Sequence, residues 1–181
     1  MFIDRGWLSD ARVCVSPNYN ARPSADEINA LIIHNISLPP EQFGGSFIED
    51  FFQNKLDCSL HPFFKEIEGV EVSSHLLITR QGELVQFVPF DQRAWHAGKS
   101  SLCGQENCND FSIGIELEGS DDIPYTEVQY QQLAAVTNLL LVSFPHITRD
   151  RIVGHSDIAP GRKTDPGPSF DWVYYRSLIQ A

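Results

Sequence analysis

Between Gly154 and Pro168 the chain reads GHSDIAPGRKTDPGP, which packs a histidine, two aspartates, an arginine and a lysine among three prolines and three glycines. That density of proline and glycine excludes an ordinary helix or a central strand and predicts a rigid, irregular loop. Titratable groups on such a loop are either a solvated surface or half of a metal site. Pro166 pushes Asp165 into extended backbone. In an extended stretch Lys163 and Asp165 project to one side and Thr164 to the other. A carboxylate that binds a cation beside a fixed ammonium can stabilise an oxyanion formed next to both.

The remaining ligands are sought among six histidines: His34, His61, His75, His96, His146 and His155. His34 and His155 each follow an apolar, strand-like run, at the edge of an α/β sheet where ligands usually bind. A catalytic zinc takes three such nitrogen or oxygen ligands and keeps its fourth position open. Hydrolysis at that position also needs a proton carrier. In FSIGIELEG, residues 111 to 119, Ser112, Gly114, Glu116 and Glu118 share one face, and the small side chains predict room for a substrate beside a carboxylate. Alternation leaves Glu116 and Glu118 equivalent. Each of these residues also has a structural reading, as a strand-end histidine, a turn aspartate or a solvated charge, and no compact H-E-x-x-H motif decides the matter.

The elements that must position these groups are legible as patterns. ALIIHN, residues 30 to 35, is a continuous apolar run and predicts a strand buried on both faces. Residues 46 to 56 have helical spacing. From Glu71, two β-rich runs joined at Gln81 and Gly82 predict a hairpin. Residues 111 to 119 alternate as a strand, with Ile113, Ile115 and Leu117 inward. Thr126 and Gln129 form a capping-box pattern ahead of a helix that Pro145 ends. RIVGH predicts a short strand before the opening loop, and an aromatic-rich helix begins near Asp171. The fold class that follows is α/β, a single domain over residues 1–181 with a central mixed β-sheet flanked by helices.

Composition narrows the function. A net charge of −11 argues against nucleic acid and against an anionic membrane surface as partners. No run reaches the roughly 18 apolar residues of a membrane span, and the N-terminal residues lack a signal-like apolar stretch. A soluble, cytoplasmic monomer is expected. Cys14, Cys58, Cys103 and Cys108 are expected as free thiols, because a chain of 181 residues needs no disulfide framework.

LIIHNISLPP, RAWHAG, CNDFSIGIELEG and GHSDIAPGRKTDPGP, in that order, closely resemble the AmpD-type N-acetylmuramoyl-L-alanine amidases, relatives of the peptidoglycan recognition proteins. The likeness covers nearly the whole chain. It implies a zinc hydrolase of peptidoglycan recycling whose substrate is a 1,6-anhydro-N-acetylmuramoyl peptide, cut between the lactyl carbonyl and L-alanine. It implies one zinc ion per chain on His34, His155 and Asp165, with Glu116 as acid/base and Lys163 as oxyanion stabiliser. Asn35, Trp95 and His96 lie in matching motifs and are expected to line the substrate groove. His75 is expected as a supporting or core histidine, His61 and His146 at the surface, and Asp157 and Arg162 as scaffold or surface. Asn107 stands where some relatives carry a basic residue. Competing readings are an amidase of intact peptidoglycan and a non-catalytic peptidoglycan-binding module.

Overall fold

Strand β2, Ala30–Ile36, is buried along its apolar run, and its neighbours show why. It lies between β5, Ser112–Glu118, and β6, Ile152–Gly154, parallel to both. Beyond β5 come β3, Leu76–Ile78, then β4, Leu84–Gln86, then β1, Arg12–Val13. The computed structural model describes residues 1–24 and 27–180, and this six-stranded sheet, ordered β6-β2-β5-β3-β4-β1, organises them. The β3–β4 pair is antiparallel and the other neighbouring pairs are parallel, so the sheet is mixed as the sequence predicts. Gly82, at a φ of 84°, supplies the left-handed residue that the β3–β4 turn requires.

One face of the sheet carries Leu31, Ile33, Ile113, Ile115 and Leu117. Helices α3, Glu127–Ser143, and α5, Trp172–Leu178, cover it through residues such as Leu133, Val136, Leu140 and Tyr175. Burying each of these large apolar side chains contributes about 1.5–3 kcal/mol. Thr126 closes α3 with the capping box that its spacing predicts. The Gln129 side-chain amide donates to the carbonyls of Ile78 and Glu118, fastening α3 to the ends of β3 and β5.

The opposite face is divided. Ala30 and Ile32 pack under Ala97, Cys108, Phe111 and Ile158. Leu77, Val85 and Phe87 pack under α1, Phe47–Phe52, and α2, Pro62–Glu66. Helix α1 is shorter than the periodicity of residues 46 to 56 predicts, because Asn54 turns left-handed at a φ of 59° and stops it. The loop after β6 is not wholly irregular either: His155–Ile158 forms one helical turn, α4, which Asp157 caps by accepting from the Gly154 N–H at 2.7 Å. The prolines begin only at Pro160, so they leave that turn intact. All four cysteines are free thiols.

Candidate active site

His34 and Glu116 are cross-strand partners near the C-terminal ends of β2 and β5. They sit between the two halves of the divided face, where α4 and the following loop bring His155 and Asp165 against them. His34 Nδ1 lies 2.9 Å from His155 Nδ1. The Asp165 carboxylate closes the triangle, with Oδ2 3.1 Å from His34 Nδ1 and 3.0 Å from His155 Nδ1. Both imidazoles are buried. Tetrahedral bonds of about 2.0–2.1 Å place zinc ligand atoms about 3.3 Å apart, so this spacing needs to open by only a few tenths of an ångström. Two ring nitrogens and one carboxylate oxygen are also the donor types of catalytic zinc, so the site fits a zinc ion by spacing and by chemistry.

The electrostatics agree with that fit. Burial pushes the His34 imidazole down to about 4, despite the neighbouring Asp165 carboxylate, so at neutral pH the ring is uncharged and able to offer a lone pair. Burial alone would raise the Asp165 carboxyl, but the His155 and His34 rings set against it outweigh burial and lower it. Glu116 behaves oppositely. Burial, and then the nearby Asp165 charge, raise it well above the usual carboxylate range, while Lys163 partly opposes them. Its Oε2 is buried without a hydrogen-bond partner.

These groups line a cleft of about 650 Å³. One end is polar and holds the triad, Glu116 and Lys163. The other is apolar, walled by Leu38, Phe51, Phe63, Ile67, Val70 and Val72.

Sequence comparison places this cleft in a family. Residues 24–168 match the family model described as N-acetylmuramoyl-L-alanine amidase. The chain belongs to that amidase family. The AmpD 1,6-anhydro-N-acetylmuramyl-L-alanine amidases of Citrobacter freundii and Escherichia coli are 56% and 55% identical to it, over 99% of this chain and 95% and 97% of theirs. A crystal structure of an AmpD derivative superposes with a TM-score of 0.97 at 56% identity, covering 99% of this chain and 100% of that one. E. coli AmiD in complex with anhydro-N-acetylmuramic acid-L-Ala-D-γ-Glu-L-Lys gives 0.62 at 29% identity, covering 99% of this chain and 66% of that one.

Within this amidase the two strand carboxylates part company. Glu116 faces the cleft, whereas Glu118 accepts from the backbone N–H groups of Gly44 and Arg80. Lys163 and Asp165 both line the cleft, but so does Thr164, because the loop turns rather than running extended. Arg162 lines it too while donating to the Ala97 and Lys99 carbonyls at 2.8 Å each, so it is scaffold as well as wall.

Asn35 and His96 both line the cleft. Trp95 is not among the residues lining the cleft; its indole N–H donates to Asn20 at 2.8 Å. Asn35 lines the cleft, but its side-chain N–H groups are committed to Asp121 and the Pro166 carbonyl, so it clamps the loop. The space over Ser112 and Gly114 is not left for substrate. The His96 ring fills it, and a Cβ on Gly114 would come within 2.5 Å of that ring. His75 is buried and His146 exposed, as expected, while His61 is half-buried and caps α2. The apolar end of the cleft went unread in the sequence. The helical face of residues 46 to 56 was the available signal, but it named no ligand.

Proposed function

We propose that this amidase holds one zinc ion on His34, His155 and Asp165 and hydrolyses the amide between the lactyl group of 1,6-anhydro-N-acetylmuramic acid and L-alanine. The observation that carries the reading is the convergence of that donor triangle, the buried Glu116 carboxyl and the cationic Lys163 side chain in one cleft. Its substrate class is supported by the activity for which the AmpD relatives are named and by the muropeptide bound to AmiD.

Zinc, when bound, supplies Lewis acidity at the reacting amide carbonyl. The chain's own residues do the rest. Glu116 takes a proton from the attacking water and returns it to the departing alanine nitrogen. A carboxyl raised by burial suits that double duty, because its pKa lies closer to the working pH. Lys163, whose charge bears on both Glu116 and His34, faces the oxyanion that develops as water adds. Asp165 stays ionised to hold the cation, and Asn35 and Arg162 keep its loop in place.

We further propose that residues 1–181 act as one amidase domain, as a monomer in the cytoplasm, recycling cell-wall fragments. No helix among the described residues is long and apolar enough to cross a membrane. Rates of peptide release from a soluble anhydro-muropeptide and from intact sacculi test the substrate assignment. Faster release from the anhydro-muropeptide is expected. Faster release from sacculi would transfer the enzyme to intact peptidoglycan.

A further inference from the structure

His34 and His155 each offer Nδ1 to the ligand triangle, and an imidazole can bind a metal through Nδ1 only when its single proton sits on Nε2. The contacts behind the two rings determine where those protons are. Ser112 Oγ lies 2.5 Å from the Cys108 carbonyl oxygen. A carbonyl only accepts, so the one hydroxyl proton of Ser112 points at Cys108. His96 Nε2 lies 3.2 Å from the same Oγ and therefore donates to it. A neutral His96 that donates through Nε2 has a bare Nδ1. That atom stands 2.9 Å from His34 Nε2, so it accepts the His34 proton and leaves His34 Nδ1 free.

The next residue does the same for the second ring. The Ala97 carbonyl lies 3.3 Å from His155 Nε2 and can only accept, which leaves His155 Nδ1 free. The two-residue segment is itself pinned, because Asn109 Oδ1 accepts from the backbone N–H of His96 at 3.0 Å and of Ala97 at 2.7 Å. Gly114 completes the seat. Any side chain there would collide with the His96 ring.

We infer that His96 and Ala97 form a strap that sets the tautomers of both histidine ligands, with His96 as a positioning residue for His34. The inference rests on the zinc reading above for its consequence, and on hydrogen-bond direction for its content. The proton on His34 Nε2 is fixed by the chain Cys108–Ser112–His96–His34, which begins at a backbone carbonyl.

The test has two readouts. In metal-free protein, nitrogen-15 NMR of the histidine rings should show His34 protonated on Nε2. A proton on His34 Nδ1 overturns the inference, whatever the protein does with metal. Zinc affinity, measured by chelator competition, should fall roughly 10–100-fold in His96→Leu, the usual loss when an outer partner of a metal-binding histidine is removed. His96→Asn keeps an acceptor near the position of Nδ1 and should restore binding to within about threefold of wild type. Should His96→Leu fold poorly, Ser112→Ala removes only a hydroxyl, releases the proton order of His96, and should weaken zinc in the same direction. Wild-type affinity in both His96→Leu and Ser112→Ala overturns the strap. Failure of the wild-type protein itself to bind zinc would instead count against the metal reading, while the His34 tautomer would still decide this one.

Discussion

Glu116 and His34 stand in register on adjacent parallel strands, side by side on one face of the sheet. On the proposed function, that pairing puts a proton carrier next to a metal ligand with no loop between them, and backbone geometry fixes their spacing. Glu116→Gln keeps the shape and removes the carrier. We expect kcat to drop by about 10²–10⁴ with zinc content unchanged. Glu118→Ala should instead cost about 0.5–1.5 kcal/mol of stability, since it removes the acceptor of two backbone N–H groups, and leave kcat within a few-fold. Urea titration and steady-state kinetics on both variants separate the roles, and the reverse pattern would exchange them.

Lys163 is exposed at the cleft wall, so removing it leaves the core alone. Lys163→Ala should lower kcat by about 10²–10³, the scale of losing an oxyanion donor, without loss of zinc. Near-normal kcat with zinc retained removes the residue from the oxyanion.

Asp165 supplies the only carboxylate of the triangle. Asp165→Ala is expected to leave the purified protein with less than about a tenth of the wild-type zinc, since losing even an outer hydrogen-bond partner of a ligand costs about 10–100-fold in affinity. Full occupancy by elemental analysis would show that the metal is held elsewhere.

Acid should destabilise the metal-free protein through its buried histidines. Burial holds His34 near 4 and His75 near 3, against 6.5 for the ordinary imidazole. Between those values the unfolded chain binds more protons than the native one, so native stability falls as pH drops from about 6.5 toward 4. Glu116 acts in the opposite sense. Its raised pKa gives a contribution that is fully present in acid and lost as pH rises through the native value. The measurement therefore belongs in the Glu116→Gln background with chelator present. A urea midpoint that is the same at pH 7 and pH 4.5 would contradict the burial argument.

The sequence exposed the strands because each had a pattern that packing enforces. Ala30–Ile36 is buried on both faces and reads as an unbroken apolar run, while Ser112–Glu118 alternates large and small because its faces meet different neighbours. His34 and Glu116 were visible as polar residues at the ends of those runs. The choice between Glu116 and Glu118 was not visible, because alternation puts both on one side. It is made by the Gly44 and Arg80 amides, far away in the chain. The space over Ser112 and Gly114 was misread for a similar reason. Small residues at Ser112 and Gly114 signal close approach, and only the three-dimensional structure shows that the approaching group is an imidazole rather than a substrate. Thr164 escaped the alternation rule because the loop after Pro160 turns, and alternation holds only for extended backbone.

The most direct test of the account is to incubate the purified, zinc-loaded protein with a 1,6-anhydro-N-acetylmuramoyl peptide and follow the products by mass spectrometry. The expected result is a free peptide beginning with L-alanine together with 1,6-anhydro-N-acetylmuramic acid, with cleavage lost on chelation and restored by zinc. An intact substrate in the presence of bound zinc, or cleavage at any other bond, would contradict it.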